Sequence, residues 1–146
     1  MNIQRVTTSH ISQVAPLFDA YRQFYKQSSN VEDAHQFLEE RVQNDQSIIF
    51  LATQDGEPAG FVQLYPTFSS ISLKRAYILN DLFVHQAFRK QGVGRALIEE
   101  AYAFSVSQDA AHIRLQTAQD NHNAQRLYRE LGMEVDEMLH FTKNWF

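Results

Sequence analysis

A glycine-containing loop between an apolar strand and an amphipathic helix constrains this chain most. The strand is predicted over residues 77–84 and the helix over residues 95–107. The loop reads Arg89-Lys90-Gln91-Gly92-Val93-Gly94, and Arg95 follows it. Glycine lets backbone N–H groups approach a ligand closely, and a helix start presents unpaired N–H groups and a positive dipole end. With three cationic side chains nearby, the loop predicts a pyrophosphate-bearing cofactor, although the glycines alone could also serve tight packing.

Length and charge limit the classes that remain. The 146 residues fit one domain with one core, so a single domain over residues 1–146 is expected. Hydrophobic residues make up 44% of the chain, which is enough for a core and argues against disorder. The net charge of −4 argues against a nucleic-acid binder, since such proteins usually carry a basic face.

Cysteine is absent, which removes disulfides, a thiol nucleophile and Cys-based metal sites. The six histidines show no paired spacing on one helix face, so no metal is predicted. The first residues lack the apolar segment of a signal peptide. The longest strongly apolar run, residues 48–52, is too short to cross a bilayer. We therefore expect a soluble cytoplasmic protein without membrane or nucleic-acid partners.

The hydrophobic periodicity predicts an alternation of strands and helices. A strand over residues 2–7 precedes two helices, the second over residues 31–43. Three strands follow, at residues 47–53, 59–65 and 72–84, with residues 66–70 as a loop. After the loop and helix, the pattern predicts a strand at residues 112–117, a helix ended by Gly132, and a last strand at residues 137–144. Such an order predicts a mixed α/β sheet with helices on both faces.

Two motifs at a suitable distance resemble one family. Leu82-Phe83-Val84, followed by Arg89-x-x-Gly92-x-Gly94, resembles the acetyl-CoA motif of the GNAT superfamily of N-acetyltransferases. Residues 121–133 resemble its second motif, Asn-x-x-Ala-x-x-Leu-Tyr-x-x-x-Gly-Phe, with Met133 in place of Phe. The glycine motif alone is weak, but the pair is a strong signal. Residues 82–97 look most like the small amine and polyamine branch. The resemblance implies a central, mostly antiparallel sheet whose fourth and fifth strands splay apart.

The resemblance also implies which residues hold acetyl-CoA. The backbone of the fourth strand would bind the pantetheine arm like an added strand, and an N–H near Phe83 would bind the reacting carbonyl. The loop would hold the pyrophosphate through its N–H groups, with Arg89 adding a charged contact. Asn121 and Asn123 read as turn and cap residues, and the resemblance adds cofactor contacts. The implied cofactor-binding residues are Leu82, Phe83, Val84, Arg89, Lys90, Gln91, Gly92, Val93, Gly94, Arg95, Asn121 and Asn123.

The resemblance implies a catalytic acid but leaves the base open. Tyr128 lies on the apolar stripe of its helix and reads as a core residue, yet in the family this tyrosine often protonates the departing thiolate. Related polyamine acetyltransferases often carry Glu-Asp, with the Glu proposed as base, where this chain has Asn80-Asp81. Regular alternation points Asp81 to the other face from Asn80, unless a β-bulge re-aims it. Asp81, an ordered water, Glu32 or Glu39 are the candidates.

The predicted function is transfer of an acetyl group from acetyl-CoA to a primary amine of a small molecule or peptide. Without cysteine, direct attack in a ternary complex is favoured over an acyl-enzyme. The acidic residues of the second helix, at positions 32, 33, 39 and 40, form either a solvated helix face or an acidic rim that attracts the amine. Tyr21, Phe24 and Tyr25 form either an aromatic wall for that cation or part of the core. Asn80 also permits a CoA-binding or sensing module without catalysis, and a structural homodimer subunit is a third, weaker alternative. The family habit alone suggests a homodimer.

Overall fold

A computed structural model of the chain describes residues 1–146 and divides them into two units, Met1–Gln116 and Thr117–Phe146. The expectation of a single domain stays a prediction. The first unit holds five strands and three helices; in chain order they are β1 (Asn2–Arg5), α1 (Ile11–Phe24), α2 (Val31–Gln43), β2 (Ile48–Gln54), β3 (Glu57–Ser69), β4 (Lys74–Val84), α3 (Val93–Ser107) and β5 (Ile113–Arg114). The second unit holds α4 (His122–Glu130).

The strands form one sheet in the order β1-β2-β3-β4-β5. Neighbours are antiparallel except β4 and β5, which run parallel. That parallel pairing joins only Tyr77 to Ile113 and Ile78 to Arg114, so β4 continues to Val84 without a neighbour on that edge. The mixed, mostly antiparallel sheet and the divergence of its last two strands confirm the predicted fold class.

Helices cover both faces of the sheet. Ile49 and Phe50 are adjacent on β2 and therefore point to opposite faces. Ile49 belongs to a buried cluster with residues of α1 and α2, such as Leu17 and Leu38. Phe50 instead makes an edge-to-face contact with Phe104 of α3, with ring centroids 5.8 Å apart. One face is thus closed by α1 and α2 and the other by α3.

The observed bounds of α2, Val31–Gln43, are those predicted from the sequence, because local signals determine them. The Asn30 side chain accepts a hydrogen bond from the Asp33 backbone N–H at 3.0 Å, which satisfies one of the unpaired donors of the first turn. Buried Ala34 and Leu38 are four residues apart and place one helix face on the core. The acidic residues of the first turn complement the helix dipole.

The prediction of a loop over residues 66–70 is wrong. β3 extends through Pro66 to Ser69, and Ser69 pairs with Lys74 at the end of a long hairpin with β4. Pro66 has no N–H to donate, but β2 begins at Ile48, opposite Leu64, so this part of β3 pairs with β4 alone. Proline is tolerated at such an edge, because no partner there needs its missing N–H.

Two later strand predictions also differ from the structure. The strand predicted over residues 112–117 is only the two residues of β5. Residues 137–144 form no strand, and their apolar side chains Met138, Leu139 and Phe141 are exposed, so burial does not stabilise a strand there. The α4 prediction is confirmed at its end, where Gly132 has φ +87° and Met133 N–H donates to the Tyr128 carbonyl at 2.9 Å. None of the helices combines the length and apolar character needed to span a bilayer.

Candidate active site

A β-bulge in β4 determines where Asp81 points. Gln63 pairs with Asp81 and Leu64 pairs with Leu79, which leaves Asn80 as the extra residue. Before the bulge, Tyr77 faces α3, where its ring lies 5.4 Å from that of Phe104. Regular alternation would place Asp81 on that same face. The bulge shifts the alternation by one residue and turns Asp81 toward α1.

Asp81 is 4% exposed and is bound by its neighbours through both carboxylate oxygens. The Gln63 amide donates to Oδ2 at 2.5 Å, and the Asn80 amide donates to Oδ1 at 3.0 Å. The Tyr21 hydroxyl donates to the Asn80 carbonyl oxygen at 3.4 Å and lies close enough to the Asp81 carboxylate to affect its pKa. The bulge therefore brings Asn80, Asp81 and Tyr21 together, which the sequence pattern left open.

Burial and hydrogen bonding act on the pKa of Asp81 in opposite directions. Burial raises the pKa of the Asp81 carboxyl above its usual range, because the charged form loses its hydration. The nearby donors of Gln63, Tyr21 and Asn80 oppose this shift in pKa, since they stabilise the carboxylate. The net effect raises the pKa of the Asp81 carboxyl.

Tyrosines surround this carboxylate. Burial raises the pKa of Tyr65 to about 12, and the negative charge of Asp81 adds to the shift while Arg41 opposes it. The pKa of Tyr21 is raised well above its usual value by burial, then by Asp81 and Tyr25. Both phenols therefore stay protonated and do not serve as bases.

Asp81 and the residues that surround it are called the carboxylate pocket below. The aromatic residues at the end of α1 form a wall beside it. Tyr21 meets Tyr25 edge-to-face with centroids 5.0 Å apart, and Phe24 meets Tyr25 at 5.3 Å. Tyr21 also contacts the rings of Phe61 and Phe83 from the sheet. Phe24 is 64% exposed and Tyr25 is 54% exposed, so these two rings line the outer part of the wall. Such faces attract an ammonium group.

The connection between α1 and α2 is held by a buried carboxylate. Asp19 is 4% exposed. Its Oδ2 accepts hydrogen bonds from Gln23 at 3.1 Å and from the Ser29 hydroxyl at 2.7 Å, while its Oδ1 accepts from the Asn30 N–H at 2.6 Å. The segment next to the aromatic wall is thereby fixed by three donors, which makes Asp19 a structural residue.

The other carboxylates considered as bases are placed differently. Glu32 is exposed in the first turn of α2, and Glu39 is half-buried two turns later. Neither of them is among the groups that bond to Asp81 or shift its pKa. The identity of the base stays a prediction.

The loop that precedes α3 has the backbone of an anion site. Gly92 adopts φ +82° as the N-cap of α3, and a β-carbon built there would meet no atom within 4 Å. Lys90 adopts φ +62°, a conformation that costs a side-chain-bearing residue about 1–2 kcal/mol. N–H groups of the first helical turn, such as those of Val93 and Gly94, have no acceptor within the helix. Open space thus adjoins a row of donors at the positive end of the helix dipole.

Side chains of the loop contribute unevenly. Arg89 Nε donates to the Val84 carbonyl at 3.0 Å, and its guanidinium lies 5.7 Å from the Phe83 ring centroid. Val93 is buried, so only its backbone is available to a ligand. Lys90, Gln91 and Arg95 are exposed around the loop, and Gly94 is half-buried. Arg89 therefore ties the loop to the end of β4, a contact that the motif did not predict.

β4 has a free edge next to this loop. Residues 79–84 continue past the last β5 partner, and three of them, Leu82, Phe83 and Val84, pair with β3 on the other edge only. Gly60 of β3 pairs with Val84, and a β-carbon on it would lie 2.7 Å from the Phe83 carbonyl oxygen, so only glycine fits there. Backbone groups on a free edge can hydrogen-bond an extended ligand.

The remaining predicted residues belong to the second unit. Tyr128 is half-buried on α4. Asn121 caps this helix by accepting a hydrogen bond from the Ala124 N–H at 3.3 Å, as a cap residue should. Asn123 is exposed in the first turn. The roles of these three residues in catalysis and cofactor binding stay predictions.

Sequence reasoning missed two polar residues of the pocket. Gln63 is fully buried on β3, and Ser47, 6% exposed, donates its hydroxyl hydrogen to Gln63 Oε1 at 2.6 Å. The available signal was a glutamine between Val62 and Leu64 in an otherwise apolar strand. A buried amide needs partners, so it indicates a polar network.

Comparisons with known proteins agree with this geometry. The model of the Acetyltransferase (GNAT) family matches residues 14–133. An uncharacterized N-acetyltransferase, YhfO, of Bacillus subtilis (strain 168) is 44% identical over 145 residues, covering 99% of this chain and 97% of its own.

Solved structures are similar over nearly the whole chain. The crystal structure of a probable acetyltransferase has a TM-score of 0.93 and 40% identity, covering 99% of this chain and 97% of its own. An aminoglycoside N-acetyltransferase in complex with CoA has a TM-score of 0.82 at 21% identity, covering 99% and 95%, which shows a shared fold.

Proposed function

Because the chain belongs to the GNAT family of acetyl-CoA-dependent N-acetyltransferases, we propose that it acetylates the primary amine of a small molecule or peptide by direct attack in a ternary complex. The observation that carries this proposal is the bulge in β4, which turns the buried carboxylate of Asp81 toward the aromatic wall at the end of α1. The free edge of the same strand leads to the glycine loop. Binding and proton-transfer groups are thus arranged along β4.

Acetyl-CoA fits the residues of the loop and strand. The open space beside Gly92 and the unpaired N–H groups of the first α3 turn suit its pyrophosphate. Lys90 and Arg95 add positive charge around these donors. The free edge at residues 82–84 suits the amide groups of the pantetheine arm. Asn121 and Asn123 are proposed to add contacts from the start of α4.

Asp81 is proposed as the general base. An amine enters as an ammonium ion, which the faces of Tyr21 and Tyr25 and the charge of Asp81 attract. Asp81 takes one proton from this ammonium, and the neutral nitrogen then attacks the acetyl carbonyl. A raised pKa makes the Asp81 carboxylate a stronger base than an exposed aspartate, which favours this proton transfer.

The leaving group needs an acid, and Tyr128 is proposed for this role. As the C–N bond forms and the C–S bond breaks, the Tyr128 hydroxyl gives its proton to the thiolate, and the second proton of the acylated nitrogen restores the phenol. A backbone N–H near Phe83 is proposed to stabilise the carbonyl oxygen during attack. The chain has no cysteine, which favours this direct route over an acyl-enzyme.

Mixing the purified protein with acetyl-CoA and a panel of amines tests the function. The panel should contain polyamines, amino acids, aminoglycosides and a lysine peptide, and free CoA is the product to measure. Amine-dependent CoA release is expected for at least one class. If CoA binds but no amine is acetylated, the alternative of a sensing module replaces this proposal.

A homodimer is proposed as the assembly. Large apolar side chains are exposed after α4 in the second unit, and they include Val135, Met138, Leu139, Phe141, Trp145 and Phe146. Exposed apolar clusters of this kind mark interaction surfaces. Sedimentation velocity should show a dimer, and Phe141→Ser together with Trp145→Ser should give a monomer. A monomeric wild-type protein at micromolar concentration would contradict the proposal.

A further inference from the structure

A chain of buried hydrogen bonds leads from the start of β2 to the carboxylate of Asp81. The Ser47 hydroxyl donates to Gln63 Oε1 at 2.6 Å, and the Gln63 amide nitrogen donates to Asp81 Oδ2 at 2.5 Å. All three side chains are nearly inaccessible to solvent, at 6%, 0% and 4% exposure.

The donors in this chain of hydrogen bonds all point the same way, from Ser47 through Gln63 to Asp81. An amide presents an acceptor oxygen and a donor nitrogen, and a flip of the Gln63 side chain would point its oxygen at the Asp81 carboxylate. The ionised carboxylate opposes that flip, because it can only accept, so Gln63 presents its nitrogen to Asp81 and its oxygen to Ser47. The Ser47 hydroxyl binds that oxygen at 2.6 Å and thereby anchors the Gln63 amide beside Asp81.

We propose that Ser47 and Gln63 are positioning residues that keep Asp81 Oδ2 bound and ionised, so that Oδ1 receives the proton of the acceptor ammonium. This proposal rests on the proposed function, in which Asp81 is the base. The partner of Oδ1 is the Asn80 amide at 3.0 Å, and Asn80 is exposed, so it can move aside for an entering ammonium. The partner of Oδ2 is fully buried and stays in place.

Other titratable groups near the carboxylate do not replace this role. On α1, Tyr21 and Tyr25 face the pocket, and on β3 Tyr65 faces it, with Arg41 of α2 close enough to influence Tyr65. The two phenols that Asp81 affects stay protonated because their pKa values are raised. Gln63 is thus a donor to Asp81 that is anchored by a second buried group and does not titrate.

Variants of Ser47 test the proposal with a mild change. Ser47→Ala removes the hydrogen that fixes the amide, and Ser47→Thr keeps the hydroxyl. We expect Ser47→Ala to move the acidic limb of the kcat/KM profile to higher pH and to lower kcat/KM below the limb about tenfold, since the lost bond acts on a charged group. Ser47→Thr should restore both. Gln63→Leu should shift the limb further than Ser47→Ala.

A matched control comes from α3. Ser105 is also 6% exposed, and its hydroxyl donates to the Ala101 carbonyl at 2.9 Å. Ser105→Ala removes an equally buried hydroxyl without touching the pocket, so its pH profile should be that of the wild type. The proposal is overturned if Ser47→Ala and Ser105→Ala have the same pH profile.

A measurement without turnover separates this proposal from the proposed function. Carbon-13 labelling of the aspartate carboxyls, with Asp81 assigned from its missing signal in Asp81→Asn, follows the titration of Asp81 directly by NMR. The Asp81 signal should titrate at higher pH in Ser47→Ala than in the wild type. If Asp81→Asn is inactive and Ser47→Ala titrates like the wild type, the positioning role alone is wrong. If Asp81→Asn keeps full activity, the base is wrong and the positioning role falls with it.

Discussion

The glycine loop and the carboxylate pocket lie along one strand, but they are built from different groups. In the loop, backbone N–H groups, the φ of +82° at Gly92 and the dipole of α3 supply the chemistry. In the pocket, the side chains of Gln63 and Asn80 bind Asp81, and those of Ser47 and Tyr21 bind these two residues in turn. Changes to the loop should therefore act on cofactor affinity, whereas changes to the pocket should act on rate, pH dependence and stability.

The two regions also store strain differently. Lys90 and Gly92 place left-handed backbone in the loop, which is a local cost that the ligand can offset. In the pocket, the energetic cost is the lost hydration of the buried Asp81 carboxylate, and the surrounding donors offset this cost in part. A buried carboxylate costs stability unless donors surround it, so the pocket tolerates fewer substitutions than the loop.

The largest expected effect is that of Asp81→Asn. Loss of the base should lower kcat/KM about 10²- to 10⁴-fold while the dissociation constant of CoA stays unchanged. Because the folded protein has the higher pKa, Asp81 favours folding at low pH, and this contribution is lost as pH rises through that pKa. The unfolding temperature of the wild type should therefore lose this contribution as pH rises, whereas that of Asp81→Asn should not. The exposed substitution Glu100→Gln is the control, and the same pH dependence of the unfolding temperature in Asp81→Asn and the wild type would contradict the burial argument.

The next largest effect is expected for Tyr128→Phe. Without the proton donor, kcat should fall about 10²-fold, and CoA should bind as before because the ring remains. Stopped-flow mixing with acetyl-CoA and amine measures the rate, and calorimetry measures the affinity. Unchanged kcat would assign the leaving-group proton to another donor.

A pair of glycine substitutions tests the loop alone. Gly92 and Gly56 have φ values of +82° and +81°, and a β-carbon would meet no atom at either position. Both Gly→Ala changes should therefore cost similar stability, about 1–2 kcal/mol. Only Gly92→Ala places a methyl group in the open space beside the helix start, so it alone should weaken CoA binding, by about tenfold for a loss near 1.4 kcal/mol. Equal CoA affinity in the two variants would remove Gly92 from the cofactor site.

The smallest effect on activity is expected for Asp19→Asn. The substitution replaces one acceptor oxygen of Asp19 by an NH2 group, which points at groups that are themselves donors. At least one buried hydrogen bond is lost, so the free energy of unfolding should fall by about 1–3 kcal/mol. The connection to α2 should loosen, which should raise KM for the amine while CoA affinity stays the same. Chemical denaturation and steady-state kinetics check these results, and a selective loss of CoA affinity would break the separation of the two regions.

The loop is built from local backbone features and the pocket from tertiary side-chain contacts, and this difference explains how much of each the sequence alone predicts. The loop is made of consecutive residues whose glycines and charges have local meaning, so a helix start at this point of the chain is confirmed, although α3 begins at Val93 and not at the predicted Arg95. α2 is confirmed for the same reason, because Asn30 caps it locally. Pro66 misled the prediction of β3, since whether a strand position needs an N–H depends on where its neighbour β2 begins.

The pocket depends on tertiary contacts that no short segment contains. Asn80 and Asp81 are adjacent, but their orientation depends on a bulge against Gln63, which is 18 residues from Asp81 along the chain. Ser47 joins the same network from β2, 16 residues before Gln63. The sequence predicted a carboxylate among the base candidates but could not choose between them, because the choice depends on strand register.

The pH dependence of kcat/KM for the wild type and Asp81→Asn tests the central claim most directly. Burial raises the pKa of Asp81, so the wild type should show an acidic limb above the usual range of an aspartate, about pH 3.9. Activity should fall as pH drops through this limb, because protonated Asp81 cannot accept a proton. The residual activity of Asp81→Asn should lack the limb. A limb at the same pH in both proteins would contradict the assignment of Asp81 as the base.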